Sequence, residues 1–399
     1  MWNVLLISLL YARLISSSNS SDIVSIPGQP TTNEMNQGAL FVTPALFRKN
    51  ETEFIIGGLF AMYNQTTNLT SLAQIQNVES LRYALSETNA SELAKKLNVT
   101  FNYYIENTYG DPAVSIENSV RMRRGKVLGV VGPGTTMEAI QVSSFYTLTQ
   151  TPLISDFVST DILNSDEIED VNFGFMRVVC NETLYHFAVT ETMRTFDWTL
   201  VSTVFTDSEI GRASFQSFRA DANRSNITLT CTQIIAESER LNLTSYITCL
   251  SNSMAKVIYM EVTPDYAARV LFQLYVNRDL LGPRTVIFSS SLMTFDLDDF
   301  TTKNQIPISF LQGFLSIIQS PGDTSGFVNY WNGLNPQNTN YRAFNLMWQE
   351  QFKCSLASDT SIPLCSNNLT ARNINETCRC SGVEKTSDLP ILVGNFFDF

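Results

Sequence analysis

Four stretches between Lys126 and Gly211 decide the fold. In chain order they are KVLGVVGPGTTMEAIQV (126–142), TPLIS (151–155), FGFMRVVCNETLYHFAV (173–189) and DWTLVSTVFTDSEIG (197–211). Short runs of β-branched residues alternate in them with helical periods. The first run leads directly into Gly-Pro-Gly and two threonines, so a strand is predicted to turn sharply into a helix there.

This GPGTT turn is a candidate site for an anion or another polar ligand. Glycines let the backbone come close to a ligand, and the first free N–H groups of a helix lie at the positive end of its dipole. The alternative is an ordinary strand-to-helix turn in which a threonine is the N-cap.

The same alternation continues through the chain. Strands are predicted at residues 53–60, 99–105, 127–131, 199–205, 227–235, 257–261 and 285–289, with helices between them. Such alternation predicts parallel sheets covered by helices, with ligands received at the carboxyl ends of the strands. Two successive sets of these units predict two lobes with a cleft between them. No internal sequence repeat is evident.

The composition is that of a globular, acidic protein. The 399 residues are 44% hydrophobic and carry a formal net charge of -12. This length predicts two or three domains with ample chain for a core. Because binding to nucleic acid needs clustered Lys and Arg side chains, the acidic balance argues against a nucleic-acid partner.

The amino terminus has the layout of a secretory signal peptide. An apolar run extends from Val4 to Leu10 and small residues follow at Ser16–Ser20, so we predict a signal peptide at residues 1–18. The run is too short to span a bilayer, and no later apolar segment is long enough. We therefore expect the chain, as given, to be extracellular or lumenal and unanchored.

N-glycosylation sequons also indicate passage through the secretory pathway. They start at Asn19, Asn50, Asn64, Asn68, Asn89, Asn98, Asn181, Asn223, Asn226, Asn242, Asn368 and Asn375. Several are expected by chance in a chain rich in Asn, Ser and Thr. Their number still favours passage through a glycosylating compartment.

Seven cysteines fit an oxidising compartment without making the chain a disulfide scaffold. The pairs that we expect are Cys231 with Cys249, Cys354 with Cys380 and Cys365 with Cys378. Cys180 is then left over, either as a buried thiol or as an interchain link.

Binding is a better interpretation of this chain than catalysis. His186 is the only histidine and lies inside the predicted helix TLYHFAV, so we interpret it as structural. No G-x-S-x-G, Walker or G-x-G-x-x-G motif is present, and the Cys-x-Cys at Cys378 and Cys380 has no histidine to support zinc binding. We expect no cofactor, no metal and no enzymatic activity. Paired carboxylates still leave a secreted carboxylate-dependent hydrolase open.

Several motifs resemble the extracellular ligand-binding domain of class C G-protein-coupled receptors, most closely that of the metabotropic glutamate receptors. They are GGLF (57–60), GVVGPGTT (129–136), FMRVV (175–179), FDWTLVSTVFTDSEIG (196–211), QSPGDTSGFVNYW (319–331) and MWQEQFKC (347–354). The resemblance covers about residues 53–385. Its most specific part is the WTLVSTVF block with its spacing to Gly-Pro-Gly.

The resemblance implies an α/β, bilobed type I periplasmic-binding-protein-like (Venus flytrap) fold with parallel sheets flanked by helices in each lobe. Lobe I would comprise residues 22–178 plus 314–399, and lobe II residues 179–313. It also implies a ligand in the interlobe cleft, a homodimer formed through lobe I, and attachment to the membrane only through a C-terminal region absent from this chain. We therefore expect either a fragment of a receptor or a secreted, truncated form.

The resemblance also implies a set of ligand-binding residues. Thr136 would hold the carboxylate of an amino acid, with Thr135 contributing its backbone. Ser159 and Glu182 would contact the ammonium group. A purely structural alternative exists for each: Thr136 as an N-cap, Ser159 as a loop residue and Glu182 as a first-turn acid favoured by the helix dipole.

Three positions depart from the glutamate-receptor pattern. Asn77 stands where those receptors place an arginine for the distal carboxylate, Ile210 replaces a tyrosine, and Ser290 replaces an acid. An acidic side chain on the ligand would lack its partner, so we do not expect glutamate itself.

The sequence thus predicts an extracellular binding domain for an amino acid or similar small polar ligand. One alternative is a natriuretic-peptide-receptor-like or orphan binding module. The hydrolase is the alternative from a different class.

Overall fold

A computed structural model of the chain describes the residues considered below. They are residues 52–164, 174–236, 243–289, 300–301, 304–317, 322–356, 363–365 and 378–391. The predicted signal peptide, Ser290 and the sequons at Asn19, Asn50, Asn242, Asn368 and Asn375 lie outside the described residues.

The strands and helices form two units. The first contains the described residues of Met1–Val158, Asp166–Val178 and Pro321–Phe399, and the second those of Ser159–Ser165 and Val179–Ser320. These bounds differ from the lobes predicted from sequence, because residues 159–164 and 314–317, predicted in lobe I, belong to the second unit.

The first unit contains a five-stranded parallel sheet with the order β2-β1-β3-β4-β5. Its strands are β1 (Glu53–Phe60), β2 (Thr100–Asn107), β3 (Gly129–Val131), β4 (Leu153–Ser155) and β5 (Phe175–Arg177). Its helices are α1 (Leu72–Ala90), α2 (Glu92–Leu97), α3 (Pro112–Arg124) and α4 (Thr136–Leu148).

The core of the first unit forms where α1 packs on β1 and β2. Its apolar residues recur every three or four positions, as in Ile75, Val78 and Leu81, and all three are buried. Trp331 and Phe344, from later helices of the same unit, belong to the same cluster.

The second unit contains another five-stranded parallel sheet, with the order β10-β9-β8-β6-β7. Its strands are β6 (Leu200–Thr206), β7 (Thr228–Ile235), β8 (Val257–Glu261), β9 (Thr285–Phe288) and β10 (Leu315–Ser316). Its helices include α5 (Glu182–Thr195), α6 (Glu209–Arg224), α7 (Thr244–Asn252), α8 (Pro264–Val276) and α9 (Arg278–Leu281). Helices α10 (Ser325–Asn332) and α11 (Arg342–Phe352) return to the first unit.

The two sheets share one strand order. In each, the second strand along the chain lies at one edge beside the first, and the third, fourth and fifth follow on the other side. No sequence repeat predicted this. Equal crossovers of one hand produce the same order from unrelated residues. The α/β fold class with two parallel sheets flanked by helices is confirmed.

The three expected disulfides are present. They join Cys231 to Cys249, Cys354 to Cys380 and Cys365 to Cys378. The expectation of a buried Cys180 was wrong, because this side chain is exposed. Strand β5 ends at Arg177, so Cys180 lies in the loop before α5 and not in the sheet.

In the described part of the chain, no helix has the length and apolar character that a membrane span requires.

Candidate functional site

The turn between β3 and α4 brings the backbone of the first unit unusually close to itself. Gly132 has φ of +101°, and a Cβ atom there would lie 2.1 Å from the carbonyl oxygen of Leu59. Only glycine fits both restrictions. The turn therefore delivers the start of α4 to the carboxyl edge of the sheet, meaning the edge at which the carboxyl ends of its parallel strands meet.

The two threonines after this turn have different roles. Thr135 is the N-cap of α4: its hydroxyl accepts from the N–H of Glu138 at 3.3 Å and donates to the Glu138 carboxylate at 2.6 Å. Thr136 is the first residue of the helix and is half-exposed. The structural alternative for Thr136, that of N-cap, was wrong.

A second group of polar side chains lies at the same edge, and two of its members, Gln74 and Asp156, were not found from the sequence. Asn77 donates a hydrogen bond to one carboxylate oxygen of Asp156, the residue directly after β4. Gln74, one turn before Asn77 on α1, lies against Gly134: a Cβ atom on that glycine would be 2.1 Å from Gln74 Oε1. An acid immediately after a buried strand was a signal available in the sequence.

Two acceptor atoms of this group are buried without a hydrogen-bond partner in the protein. They are Gln74 Oε1 and Asp156 Oδ1. Burial raises the pKa of Asp156 to about 7, even though its own backbone N–H and the bond from Asn77 both act in the other direction. Buried polar atoms normally have partners, so this edge of the first unit offers unused hydrogen-bonding capacity.

In the second unit, the structure brings Ser159 and Glu182 together. The N–H of Glu182 donates to the carbonyl of Ser159 at 2.9 Å. Asn181 caps α5 by accepting from Leu184, which places Glu182 in the first helical turn. Burial, together with the nearby Glu261 carboxylate, raises the pKa of Glu182 to about 7. A neighbouring ammonium group would favour its charged form.

His186 is part of a buried network in the second unit. Its Nε2 atom lies 3.1 Å from Glu261 Oε2, and its Nδ1 atom lies 3.2 Å from Ser217 Oγ. Ser214 and Tyr259 also donate to the Glu261 carboxylate. Glu261 ends β8, so the network lies at the carboxyl edge of the second sheet.

The pKa shifts in this network describe an ion pair. Burial alone would lower the pKa of His186, but the hydrogen bond and the charge of Glu261 outweigh it and raise the pKa. Burial alone would raise the pKa of Glu261, but the bonds from His186, Ser214 and Tyr259 hold it below its ordinary value. Charged His186 and charged Glu261 thus stabilise each other.

Ser217, which contacts His186 in this network, lies in the interior of α6, where backbone N–H groups donate to carbonyls one turn earlier. Among the residues that the structure describes, no three His, Cys, Asp or Glu side chains are grouped to hold a metal ion.

The predicted ligand residues therefore form two pairs. Thr135 and Thr136 begin α4 in the first unit, and Ser159 and Glu182 are joined by a backbone hydrogen bond in the second. Gln74, Asp156 and the His186 network are additional to them.

Comparison with known proteins connects this geometry to a family. Residues 76–361 match the family described as the receptor family ligand binding region. The chain belongs to this family. The matched segment is more than half of the chain and includes the described α4 and α5 helix starts.

A curated relative agrees with the class C resemblance. The chain is 25% identical over 228 residues to G-protein coupled receptor family C group 6 member A of Carassius auratus. The alignment covers 48% of this chain and 26% of that relative, so the chain spans about a quarter of the relative's length. The class C receptor-like ligand-binding domain predicted from the sequence is confirmed. Its family is a receptor family and not one of enzymes.

Proposed function

We propose that this receptor ligand-binding domain is extracellular and binds an α-amino acid or a similar small polar molecule without chemical turnover. The main support is the carboxyl edge of the first sheet. There the start of α4 lies in the same unit as two buried acceptors without a protein partner, Gln74 Oε1 and Asp156 Oδ1. A bound polar molecule would supply the missing donors.

In this proposal α4 holds the carboxylate of the ligand. Thr136 contributes its hydroxyl, and the N–H groups of Thr135 and Thr136 contribute the positive end of the helix dipole. The Thr135 hydroxyl is already bonded to Glu138, so Thr135 would act through its backbone. This is the division of roles expected from the sequence.

Ser159 and Glu182 are proposed to contact the ammonium group. A positive charge beside Glu182 would offset the burial and the repulsion from Glu261 that raise its pKa. Glutamate is not proposed as the ligand, because Asn77 donates to Asp156 where an arginine would otherwise meet a distal carboxylate.

A thermal-shift screen tests the proposal. The secreted protein is heated with each of the common amino acids and with a panel of small carboxylates and amines. Binding raises the melting temperature, and the stabilisation grows with the logarithm of the ligand excess over Kd. The double variant Thr136→Ala, Ser159→Ala is expected to lose the shift. Thr195→Ala, which changes an exposed hydroxyl at the end of α5, is the matched control and should keep it.

The outcome that contradicts the proposal is a panel in which no compound stabilises the wild-type protein. Turnover of an ester or glycoside by the wild type would instead favour the hydrolase. A homodimer formed through the first unit, and membrane attachment through a segment outside this sequence, rest on the class C resemblance and remain proposals.

A further inference from the structure

Two of the four edge strands in the described sheets, β2 and β7, carry few of the side chains that usually protect an edge from pairing with another chain, although the register between β6 and β7 shifts between Val201 and Thr203. In the described residues, β2 pairs only with β1 and β7 only with β6. Both are eight residues long; β2 reads TFNYYIEN and β7 reads TLTCTQII. Natural edge strands commonly carry Lys or Pro, or are short. Here β7 has no charged residue and no proline, and β2 has one charged residue, Glu106.

A sequon lies at the start of each edge strand. Asn98-Val-Thr100 leads into β2 and Asn226-Ile-Thr228 leads into β7, so each threonine is the first residue of its strand. Both asparagines and both threonines are exposed. The sequons thus occupy equivalent places in the two sheets.

The local backbone is the same in both places. Asn98 and Asn226 have φ of 51° and 56°, in the left-handed region. The N–H of the next residue closes the end of the preceding helix: Val99 donates to Ala94 and Ile227 to Ala222. This arrangement is the Schellman type of helix end.

Other helix-to-strand connections show that this backbone does not require asparagine. The left-handed residues before β3, β4 and β6 are Lys126, Gln150 and Asp197, and the residue after each closes the helix in the same way. Among these five connections in the described chain, the two that lead into edge strands are the two that carry sequons.

We propose that Asn98 and Asn226 are N-glycosylated and that the two glycans cover the amino-terminal ends of the exposed edge strands. The reaction joins the asparagine Nδ2 atom to the anomeric carbon of an oligosaccharide carried on a lipid diphosphate. The bond from that carbon to the diphosphate oxygen breaks, and Nδ2 loses one proton. In each unit the glycan lies at the opposite end of the strands from the carboxyl edge, so it leaves the candidate ligand residues open.

Asn89 is the contrasting sequon. Its Nδ2 atom donates to the carbonyl of Phe101 at 2.9 Å, and its Oδ1 atom accepts from the Phe101 N–H at 2.8 Å. A sugar on this half-buried amide would have to displace the contact that holds the start of β2. We expect Asn89 to remain unmodified.

Mapping of occupied sites tests the first half of the proposal. The full chain, expressed with its own amino terminus in a eukaryotic secretory host, is treated with a peptide-N-glycosidase in ¹⁸O water, which converts each glycosylated asparagine to ¹⁸O-labelled aspartate. Labelled peptides are expected at Asn98 and Asn226, and an unlabelled one at Asn89. Secreted protein without label at Asn98 or Asn226 would overturn the assignment. This result is independent of whether any ligand binds.

Matched variants at the third sequon position test the role at the edge. Thr228→Ala removes the β7 sequon but keeps Asn226 in its left-handed conformation, whereas Thr228→Ser keeps the sequon. Light scattering after gel filtration should show loss of the native species to larger aggregates for Thr228→Ala alone. Adding Ile234→Lys, a charge on the exposed face of β7, should restore the native species. A Thr228→Ala protein that stays unaggregated, or one that the lysine does not rescue, contradicts edge protection.

Discussion

The two sheets have the same strand order, but the polar side chains at their carboxyl edges differ in how many hydrogen-bond partners they have. In the first unit, Gln74 and Asp156 each leave a buried acceptor without a partner. In the second, Glu261 accepts from His186, Ser214 and Tyr259. One edge thus has unused hydrogen-bonding capacity and the other is largely satisfied internally.

This difference indicates that the first edge serves ligand binding and the second edge serves stability. Unsatisfied buried polar groups cost stability, and a site for a polar ligand is where such a cost is expected. A buried ion pair with satisfied hydrogen bonds fixes the elements that carry it. Removing either member leaves the other as an uncompensated buried charge, which costs stability. We therefore expect substitutions at the second edge to destabilise the protein and those at the first edge mainly to alter binding.

The largest expected effect on stability comes from removing one member of the His186–Glu261 ion pair. Glu261→Ala leaves His186 buried without its acceptor and should lower the free energy of unfolding by about 4 kcal/mol. Urea unfolding measures it. Glu191→Ala is the control, because it removes an exposed ion pair with Arg194 and should cost much less stability. Equal losses for the two variants would mean that the network contributes nothing beyond a surface ion pair.

The second effect has the opposite sign and comes from the unsatisfied edge. The pKa of Asp156 is raised from 3.8 to about 7, so the folded protein holds this proton more tightly than the unfolded chain. Its contribution is complete below about pH 4 and is lost as the pH rises towards 7. Asp156→Asn should therefore raise the free energy of unfolding by about 4 kcal/mol at pH 8 and change it little at pH 4.

Urea unfolding at both pH values checks this prediction. The control is Asp279→Asn, which makes the same substitution at an exposed carboxylate of the second unit. A gain from Asp156→Asn of the same size at pH 4 and pH 8 would exclude proton linkage as its cause.

Glycine substitutions compare the two units through smaller changes in stability. A Cβ atom at Gly211, near the start of α6, would lie 2.2 Å from the backbone carbonyl of Thr206, whereas one at Gly134 would meet the flexible end of Gln74. Gly211→Ala should cost about 2 kcal/mol and Gly134→Ala less than about 1 kcal/mol, because a side chain can move aside and a strand cannot. Melting temperatures give the order. The reverse order would show that Gln74 is held as firmly as the sheet.

Much of the fold was predictable because each element is consistent with its own sequence pattern. Strands β1 and β8 have the predicted bounds, and a helix, α8, lies between the predicted strands 257–261 and 285–289, with Ala267, Val270 and Leu271 buried. Local patterns also predicted the alternation that leads to parallel sheets. They could not predict that both sheets share one strand order, because local periodicity does not determine which distant strands pair.

The site was less predictable because it depends on partners far apart in the chain. The threonines after Gly-Pro-Gly were found from a local motif. The bond between Asn77 and Asp156 joins residues 79 positions apart, and that between His186 and Glu261 joins residues 75 apart. The structural interpretation of His186 followed from its position inside a predicted helix. Its partner Glu261 could be identified only from the fold, although an acid at the end of VIYME was a usable signal.

The smallest expected difference concerns the two helix caps. Thr135 caps α4 and Ser208 caps α6, and each hydroxyl accepts one backbone N–H. Thr135 also donates to the buried Glu138 carboxylate, so Thr135→Ala should cost about 1 kcal/mol more than Ser208→Ala, beyond the roughly 1 kcal/mol of a lost cap. Urea unfolding of the two variants measures the difference. Thr135→Ser retains both bonds and should lie near the wild type. If the two alanine variants lose the same stability, the second bond of Thr135 adds nothing, and the start of α4 is an ordinary cap like that of α6.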